Sequence, residues 1–160
     1  MQLTEKQKNE LLAFNNGNPI IVTPSNLSEG YCDFDLTIYV RTISKPTPVY
    51  VKSIQMRLSF TSRLQIEQPH TYLLQGQLFH PNFTAEGKWS SSALQHNETL
   101  SNYLMRLIRV LQYKEIDIEN VANRNAMAWF NKNKNIGMFP TDIINYSVKP
   151  QITILRKSDA

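Results

Sequence analysis

The side chains that could most readily take part in a chemical reaction lie in the segment between residues 79 and 90. It reads Phe79-His80-Pro81-Asn82-Phe83 and then, after three residues, Gly87-Lys88-Trp89-Ser90. A serine hydroxyl is a competent nucleophile only beside a general base, which a third group usually orients. His96 follows Ser90 closely in the chain, but the sequence offers it no obvious carboxylate partner. The spacing therefore does not favour a serine–histidine hydrolase.

The single cysteine, Cys32, is the other possible nucleophile. Alternation places it with Phe34, Leu36 and Ile38 on one face of a predicted strand, and a thiol in apolar surroundings reacts slowly. We therefore interpret Cys32 as a core residue. A lone cysteine also cannot close an internal disulfide, and no apolar stretch typical of a secretory signal follows Met1. These two observations predict a reducing, cytoplasmic setting.

Other classes of ligand find little support in the sequence. The histidines, His70, His80 and His96, and the cysteine lack the spacing of a metal-ligand set, so we expect no metal ion and no other cofactor. The 17 basic and 13 acidic residues are spread without a cluster, which indicates a mixed solvated surface rather than a nucleic-acid partner. No apolar run approaches the ~20 residues of a membrane span, and we expect no membrane partner.

The elements that must position the 79–90 segment follow from the pattern of apolar residues. They are, in chain order, a helix from Thr4 to about Phe14, strands over 31–40, 51–60 and 71–79, helices over 100–111 and from Ala122 to about Asn131, and a late strand over 151–155. Thr4 and Gln7 fit a capping box, and Asn97 or Thr99 caps the second helix. Gly76 marks a bulge or a close backbone approach. This order, in a chain of 160 residues, predicts a single α+β domain.

Within this order, the 79–90 segment resembles the active-site signature of ubiquitin-conjugating enzymes. In that family a His-Pro-Asn tripeptide ends a strand, a glycine follows, and the third residue after the glycine is the cysteine that carries ubiquitin as a thioester. Ser90 occupies that position here. Further matches in register are Phe60 and Pro69 with the family's proline-rich segment, Thr99-Leu100-Ser101 with the start of its central helix, and Asn123-Arg124-Asn125-Ala126-Met127-Ala128-Trp129-Phe130 with its Asn-Pro-Glu-Ala…Tyr helix. The resemblance covers about residues 5–133, so residues 134–160 form an atypical C-terminal extension of one domain over residues 1–160.

The resemblance implies a ubiquitin-conjugating fold, in which an N-terminal helix, an antiparallel sheet, a central core helix and a further helix surround the active-site segment. It implies that Asn82 holds the active-site loop and stabilises the oxyanion that forms when a lysine attacks. From the residues alone, Asn82 can equally cap the turn after Pro81, and His80 is interpreted as a turn-stabilising residue rather than as a base. The partners implied are ubiquitin or a ubiquitin-like protein and an activating enzyme, whose acidic surface Lys6 and Lys8 would contact.

Ser90 leaves the activity open. It is a natural inactivating residue, a replacement of the catalytic cysteine, or a loop serine outside the true register. A ligase is not predicted as a partner, because the Trp-Ser-Pro motif that receives ligases together with a hydrophobic residue near Ile66 is absent. The short loop after Ser90 and the C-terminal tail resemble the bacterial homologues of this family more than its eukaryotic cytosolic members. Two functions follow: a transferase that natively carries a ubiquitin-like protein and is inactivated here by Ser90, or a non-catalytic docking module.

Overall fold

Helices form at the three places that the sequence pattern indicates. The computed structural model describes residues 3–14, 19–28, 31–61 and 69–141. Its helices are α1 (Glu5–Ala13), α2 (Leu100–Leu111) and α3 (Arg124–Asn133). The predicted capping box of Thr4 and Gln7 is confirmed, and Thr99 rather than Asn97 caps α2. The last helix begins two residues later than predicted, because the Asn123 side chain accepts from the Ala126 N–H and caps it.

The strands form one main antiparallel sheet and one small hairpin. They are β1 (Ile20–Ser28), β2 (Tyr31–Ile38), β3 (Thr42–Lys45), β4 (Val49–Val51), β5 (Ile54–Thr61) and β6 (His70–Leu73). The main sheet has the order β1-β2-β5-β6, and β3 and β4 pair separately between β2 and β5 in the chain. The described residues therefore form an α+β structure with three helices, which confirms the predicted fold class at this level.

The core lies between one face of the main sheet and α2. Its members on the strands lie at alternate positions, and they are Ile20, Val22, Cys32, Phe34, Leu36, Ile38, Ile54, Met56, Leu58, Phe60 and Leu73. From α2 the buried Tyr103 reaches the sheet, where its hydroxyl hydrogen bonds to the Thr71 hydroxyl at 2.7 Å. The Glu10 carboxylate of α1 accepts from the Ser101 N–H at 2.9 Å, which fastens α1 to the first turn of α2. The prediction that Cys32 is a core residue is confirmed.

Two of the predicted strands need correction. The run over 51–60 divides into β4 and β5, because the chain bends at Lys52 and Ser53. The run over 71–79 ends at Leu73, and Gly76 then lies in a turn with a φ of +82°. A Cβ added at Gly76 would meet no atom within 4 Å, so this glycine marks neither a bulge nor a close approach. The strands β1 and β3 were not predicted, because Pro24 and a polar stretch obscure the alternation of β1 and because β3 is short.

A second, smaller cluster joins α3 to the rest of the domain. Its buried members are Ile43, Tyr113 and Phe139, and Trp129 and Phe130 of α3 pack against them. The predicted late strand over 151–155 and most of the predicted extension over 134–160 lie outside the described residues.

No helix in the described part of the chain has both the length and the apolar character that crossing a membrane requires.

Candidate functional site

His80 is a buried residue that joins the 79–90 segment to α2. Its Nδ1 accepts from the Asn82 N–H at 2.9 Å, so its Nε2 carries the proton and donates to the Val110 carbonyl at 2.6 Å. Burial lowers the pKa of His80 to about 3, although the Val110 carbonyl acts in the opposite direction. The ring is therefore neutral and both of its nitrogens are engaged. In this geometry His80 stabilises the turn and has no free nitrogen with which to accept a proton.

The Asn82 side chain fastens the same segment to the loop after α2. It is fully buried, and its Nδ2 donates to the carbonyls of Asp117 at 2.7 Å and Asn120 at 3.1 Å. Its Oδ1 accepts from the Asp117 N–H at 2.9 Å. Both hydrogens of the amide are thus used on backbone carbonyls. The geometry agrees with the loop-holding part of the predicted role, and oxyanion stabilisation by Asn82 stays a prediction that requires one of these bonds to open.

A tight turn brings Ser90 back beside Asn82. The Gly87 N–H donates to the Thr84 carbonyl at 2.9 Å, and the Ser90 N–H donates to the Asn82 carbonyl at 2.9 Å. Gly87 has a φ of +93°, and a Cβ at this position would lie 2.5 Å from the Cβ of Leu73. A side chain here meets both backbone strain and a steric clash. This explains physically why a glycine precedes Ser90 by three residues.

Residues 87–89 extend the main sheet beyond β6. The Trp89 N–H donates to the Thr71 carbonyl at 3.0 Å, and Tyr72 lies opposite Lys88 in an antiparallel bridge. Trp89 is completely buried and its ring lies against Tyr103 of α2. The residue before Ser90 is therefore anchored in the core, while its neighbours face the other side of the sheet.

Ser90 lines an open cleft of about 380 Å³. The cleft walls include Pro69, His70, Lys88 and Ser92. The cleft places the side chain of residue 90 where a ligand can reach it, and the sheet extension holds its backbone. Position 90 is therefore both accessible and rigidly supported.

The Ser90 hydroxyl is held by carbonyl groups. Its Oγ donates to the Asn82 carbonyl at 2.9 Å and makes a second, shorter contact with the Asn120 carbonyl. A backbone carbonyl accepts a hydrogen bond but does not remove a proton at neutral pH. Among the described residues no histidine hydrogen bonds to this hydroxyl, so the contacts present do not activate Ser90 as a nucleophile.

Asp117 organises the far side of the site. Its carboxylate accepts from the Ser91 hydroxyl at 2.7 Å, from the Asn120 amide at 2.7 Å and from the Glu119 N–H at 3.0 Å. Partial burial acts to raise the pKa of Asp117, but these hydrogen bonds and the positive charge of Arg106 together lower it below its usual value. Asp117 is therefore ionised at neutral pH and keeps the loop closed against the serines that follow position 90.

Arg106 of α2 fixes the loop after Ser90. Its guanidinium makes a two-pronged ion pair with Glu98, with N···O distances of 2.8 and 3.0 Å, and both side chains are buried, with exposed fractions of 4% and 7%. The same group donates to the carbonyls of Ser91 and Ala93 at 3.0 Å each and lies 4.7 Å from the Trp89 ring centre. The ion pair is buried and its guanidinium also holds two carbonyls of the loop, so the loop has little freedom.

Sequence reasoning missed Arg106 and Glu98. The available signal was the position of Arg106 in α2, three residues after Tyr103 and four before Val110, both of which are buried. A charged residue between buried helical neighbours must have a buried partner. That partner lies in an irregular loop before the helix, and its identity depends on tertiary structure, which the local sequence pattern does not predict.

The residues predicted to bind partners fall on a separate element. Lys6 on α1 is exposed, and Lys8 pairs with Glu5 at 3.1 Å. Ile66 lies outside the described residues. The structure thus brings His80, Asn82 and Ser90 together and places the two lysines on the N-terminal helix.

Within the described ranges no group of three or more histidine, cysteine or acidic side chains is arranged to hold a metal ion. Comparisons with protein-family models and with curated proteins give no match to this chain.

Proposed function

We propose that the chain is a ubiquitin-conjugating-enzyme-like domain in which position 90 is the carrier position for ubiquitin or a ubiquitin-like protein. One observation supports this above the others: Gly87 folds the segment from His80 to Ser90 back on itself, so that residue 90 lines an open cleft on a fixed backbone. An acyl carrier needs this combination, because its reacting atom must be reachable by two large partners in turn and yet precisely placed.

The residue at position 90 decides whether this domain is active. Thioester exchange with an activating enzyme needs a thiolate as nucleophile and as leaving group, and a thiol supplies both near neutral pH. A serine hydroxyl whose single hydrogen is shared between two carbonyls supplies neither. In the proposed function, the form with cysteine at position 90 accepts the ubiquitin-like protein and passes it to a target amine, and the chain with Ser90 does not.

A second candidate function is a non-catalytic docking module. It is favoured by the way Ser90 completes the hydrogen-bond network: its hydroxyl joins the Asn82 and Asn120 carbonyls, and the Asn82 amide has no spare donor. A domain that only docks a ubiquitin-like protein or positions a partner enzyme gains from such a closed network, because every polar group is satisfied.

Loading of the Ser90→Cys variant distinguishes the two functions. The variant and the parent chain are incubated with activating enzyme, ATP and candidate ubiquitin-like proteins, and the products are compared with and without reductant. We expect a reductant-sensitive conjugate from Ser90→Cys and none from the parent chain. Binding of the ubiquitin-like protein without loading of the variant would support the docking function instead. A reductant-sensitive band from the parent chain would show that the buried Cys32 reacts, against both proposals.

The role of Asn82 is tested in the same background. Combined with Ser90→Cys, Asn82→Ala removes all three bonds to the 117–120 loop, whereas Asn82→Asp keeps an acceptor for the Asp117 N–H and lacks both donors. If Asn82 only holds the loop, transfer to lysine should fall in proportion to the loss of stability in both variants. If it also donates to the oxyanion, transfer should fall on the order of 10²-fold at unchanged loading.

A further inference from the structure

His70 and Ser90 line the same cleft, and the strand register around them relates the two positions. As the first residue of β6 it pairs with Ser59 of β5. On its other side, the bridge between Tyr72 and Lys88 is antiparallel, and continuing that register by two positions sets His70 opposite Ser90. Directly opposed residues in an antiparallel pair share a face of the sheet, with Cβ atoms about 4.5–5.5 Å apart.

The residues paired across the sheet from His70 form a row, His70–Ser59–Asp33, that ends at a buried carboxylate. Ser59 and its strand neighbour Asp33 are both buried, and the Ser59 hydroxyl donates to Asp33 Oδ1 at 2.5 Å. Because this hydroxyl donates its hydrogen bond to Asp33, its oxygen is available to accept one from an N–H of His70, the residue paired with Ser59. A bond of that kind fixes the tautomer and leaves the second ring nitrogen as an acceptor toward position 90.

Partial burial and a nearby lysine both favour the neutral ring of His70. Partial burial lowers the pKa of His70, and the positive charge of Lys88 lowers it further. The neighbouring row on the same face holds Tyr72, Arg57 and Asp35, and Arg57 pairs with Asp35 at 2.8 Å. The charge of Arg57 is thus paired, whereas the positive charge of Lys88, which lies opposite Tyr72, acts on His70.

We propose that His70 is the general base for acyl transfer at position 90, a role that rests on the proposed carrier function. The amine nitrogen attacks the carbonyl carbon of the acyl group on residue 90, and a C–N bond forms while a ring nitrogen of His70 takes the amine proton. The bond from that carbon to the side-chain atom of residue 90 then breaks. In the Ser90→Cys variant sulfur leaves as thiolate, and His70 returns the proton to water.

A small acyl probe tests this without activating enzyme or ubiquitin-like protein. The Ser90→Cys variant is acetylated with p-nitrophenyl acetate, and transfer of the acetyl group to a small primary amine is followed from about pH 5 to about pH 8 at a constant concentration of free amine. The parent chain, acetylated in parallel, measures any contribution from Cys32. His96→Gln is the matched control, because His96 is exposed and does not line the cleft.

We expect the transfer rate to rise with pH through an inflection below 6.5 and then to level off. His70→Gln should remove the inflection and slow transfer on the order of 10²-fold, with acetylation intact. Lys88→Gln should move the inflection to higher pH, since it removes a positive charge near the imidazole. Added imidazole should restore part of the rate to His70→Ala.

Several results would overturn the assignment. Transfer that is equally fast in His70→Gln excludes a base at this position, and a slowed rate with an unchanged pH profile and no imidazole rescue shows that His70 acts only on structure. Failure of Ser90→Cys to be acetylated shows that position 90 cannot present an acyl group to His70. A His70-dependent transfer in a variant that no ubiquitin-like protein loads would retain the base and reject the carrier function.

Discussion

Replacing Gly87 by alanine should destabilise the domain by more than any other glycine substitution in its described part. The backbone at Gly87 has a φ of +93°, where an L-residue costs about 1–2 kcal/mol. The new Cβ would also lie 2.5 Å from the Cβ of Leu73, with the Leu73 Cδ2 at 3.2 Å. Because the Leu73 Cβ is bonded to the β6 backbone, rotation of the side chain cannot relieve this clash. The sheet extension must move, at a further cost of about 1–3 kcal/mol.

Gly76→Ala is the matched control for this prediction. Gly76 has a similar φ of +82°, but a Cβ there meets no atom within 4 Å. It therefore carries the conformational cost without the steric one, and both substitutions restrict the unfolded chain equally. The free energies of unfolding, measured by urea denaturation, should differ by about 1–3 kcal/mol. If the free energies of unfolding of the two variants agree within about 0.5 kcal/mol, residues 87–89 do not pack closely against β6.

Three further results are expected. Arg106→Leu should cost about 3–5 kcal/mol because it strands the buried carboxylate of Glu98, and Arg106→Leu with Glu98→Leu should be the more stable of the two; a double variant less stable than the single one would contradict the buried pair. Because the pKa of His80 is about 3 in the fold against 6.5 for a free histidine, the unfolded state takes up the proton first as the pH falls, so stability present above 6.5 should be lost progressively between 6.5 and 3, by roughly 4–5 kcal/mol. In the parent chain the urea midpoint should fall as the pH is lowered through this range, and in His80→Gln it should fall less. If the pH dependence of the midpoint is the same in both proteins, the His80 ring is not buried. Charge reversal of Lys6 and Lys8 should slow association with an activating enzyme in a salt-dependent way, and association that stays unchanged across a salt series would leave α1 as a solvated face.

The sequence predicted best what local pattern controls. The stripe of α2 and the alternation of β2 and β5 were predicted correctly because burial repeats along each element with the period of its backbone. The capping box at Thr4 was predictable because its donors and acceptors lie within one turn. The hairpin of β3 and β4 was not predicted, since its strands are short, β4 is mostly exposed, and Ile43 of β3 is buried against Tyr113 and Phe139, which are distant in the chain.

The sequence predicted which segment forms the candidate site, but not which distant residues that segment contacts. The resemblance carried by Asn82, Gly87 and Ser90 predicted that they share one loop, and in the structure local backbone bonds bring the three residues together. The partners of Asn82 lie some 35 residues further on, in a loop without periodicity, and no local signal connects them. His70 was considered only as a metal ligand, because its position opposite Ser90 depends on a register that the chain sets through Tyr72 and Lys88.

Position 90 lies between two sets of groups that act in opposite directions. On one side the Asn82 and Asn120 carbonyls accept from the serine hydroxyl, which keeps its proton and its position. On the other side is His70, which lines the same cleft and which we propose as the base. A thiol is a much weaker hydrogen-bond donor than a hydroxyl, so Ser90→Cys weakens the first set and leaves the second in place. One substitution should therefore both supply the nucleophile of the proposed carrier and free it from the carbonyls, which is why loading of Ser90→Cys tests the carrier function against the docking function.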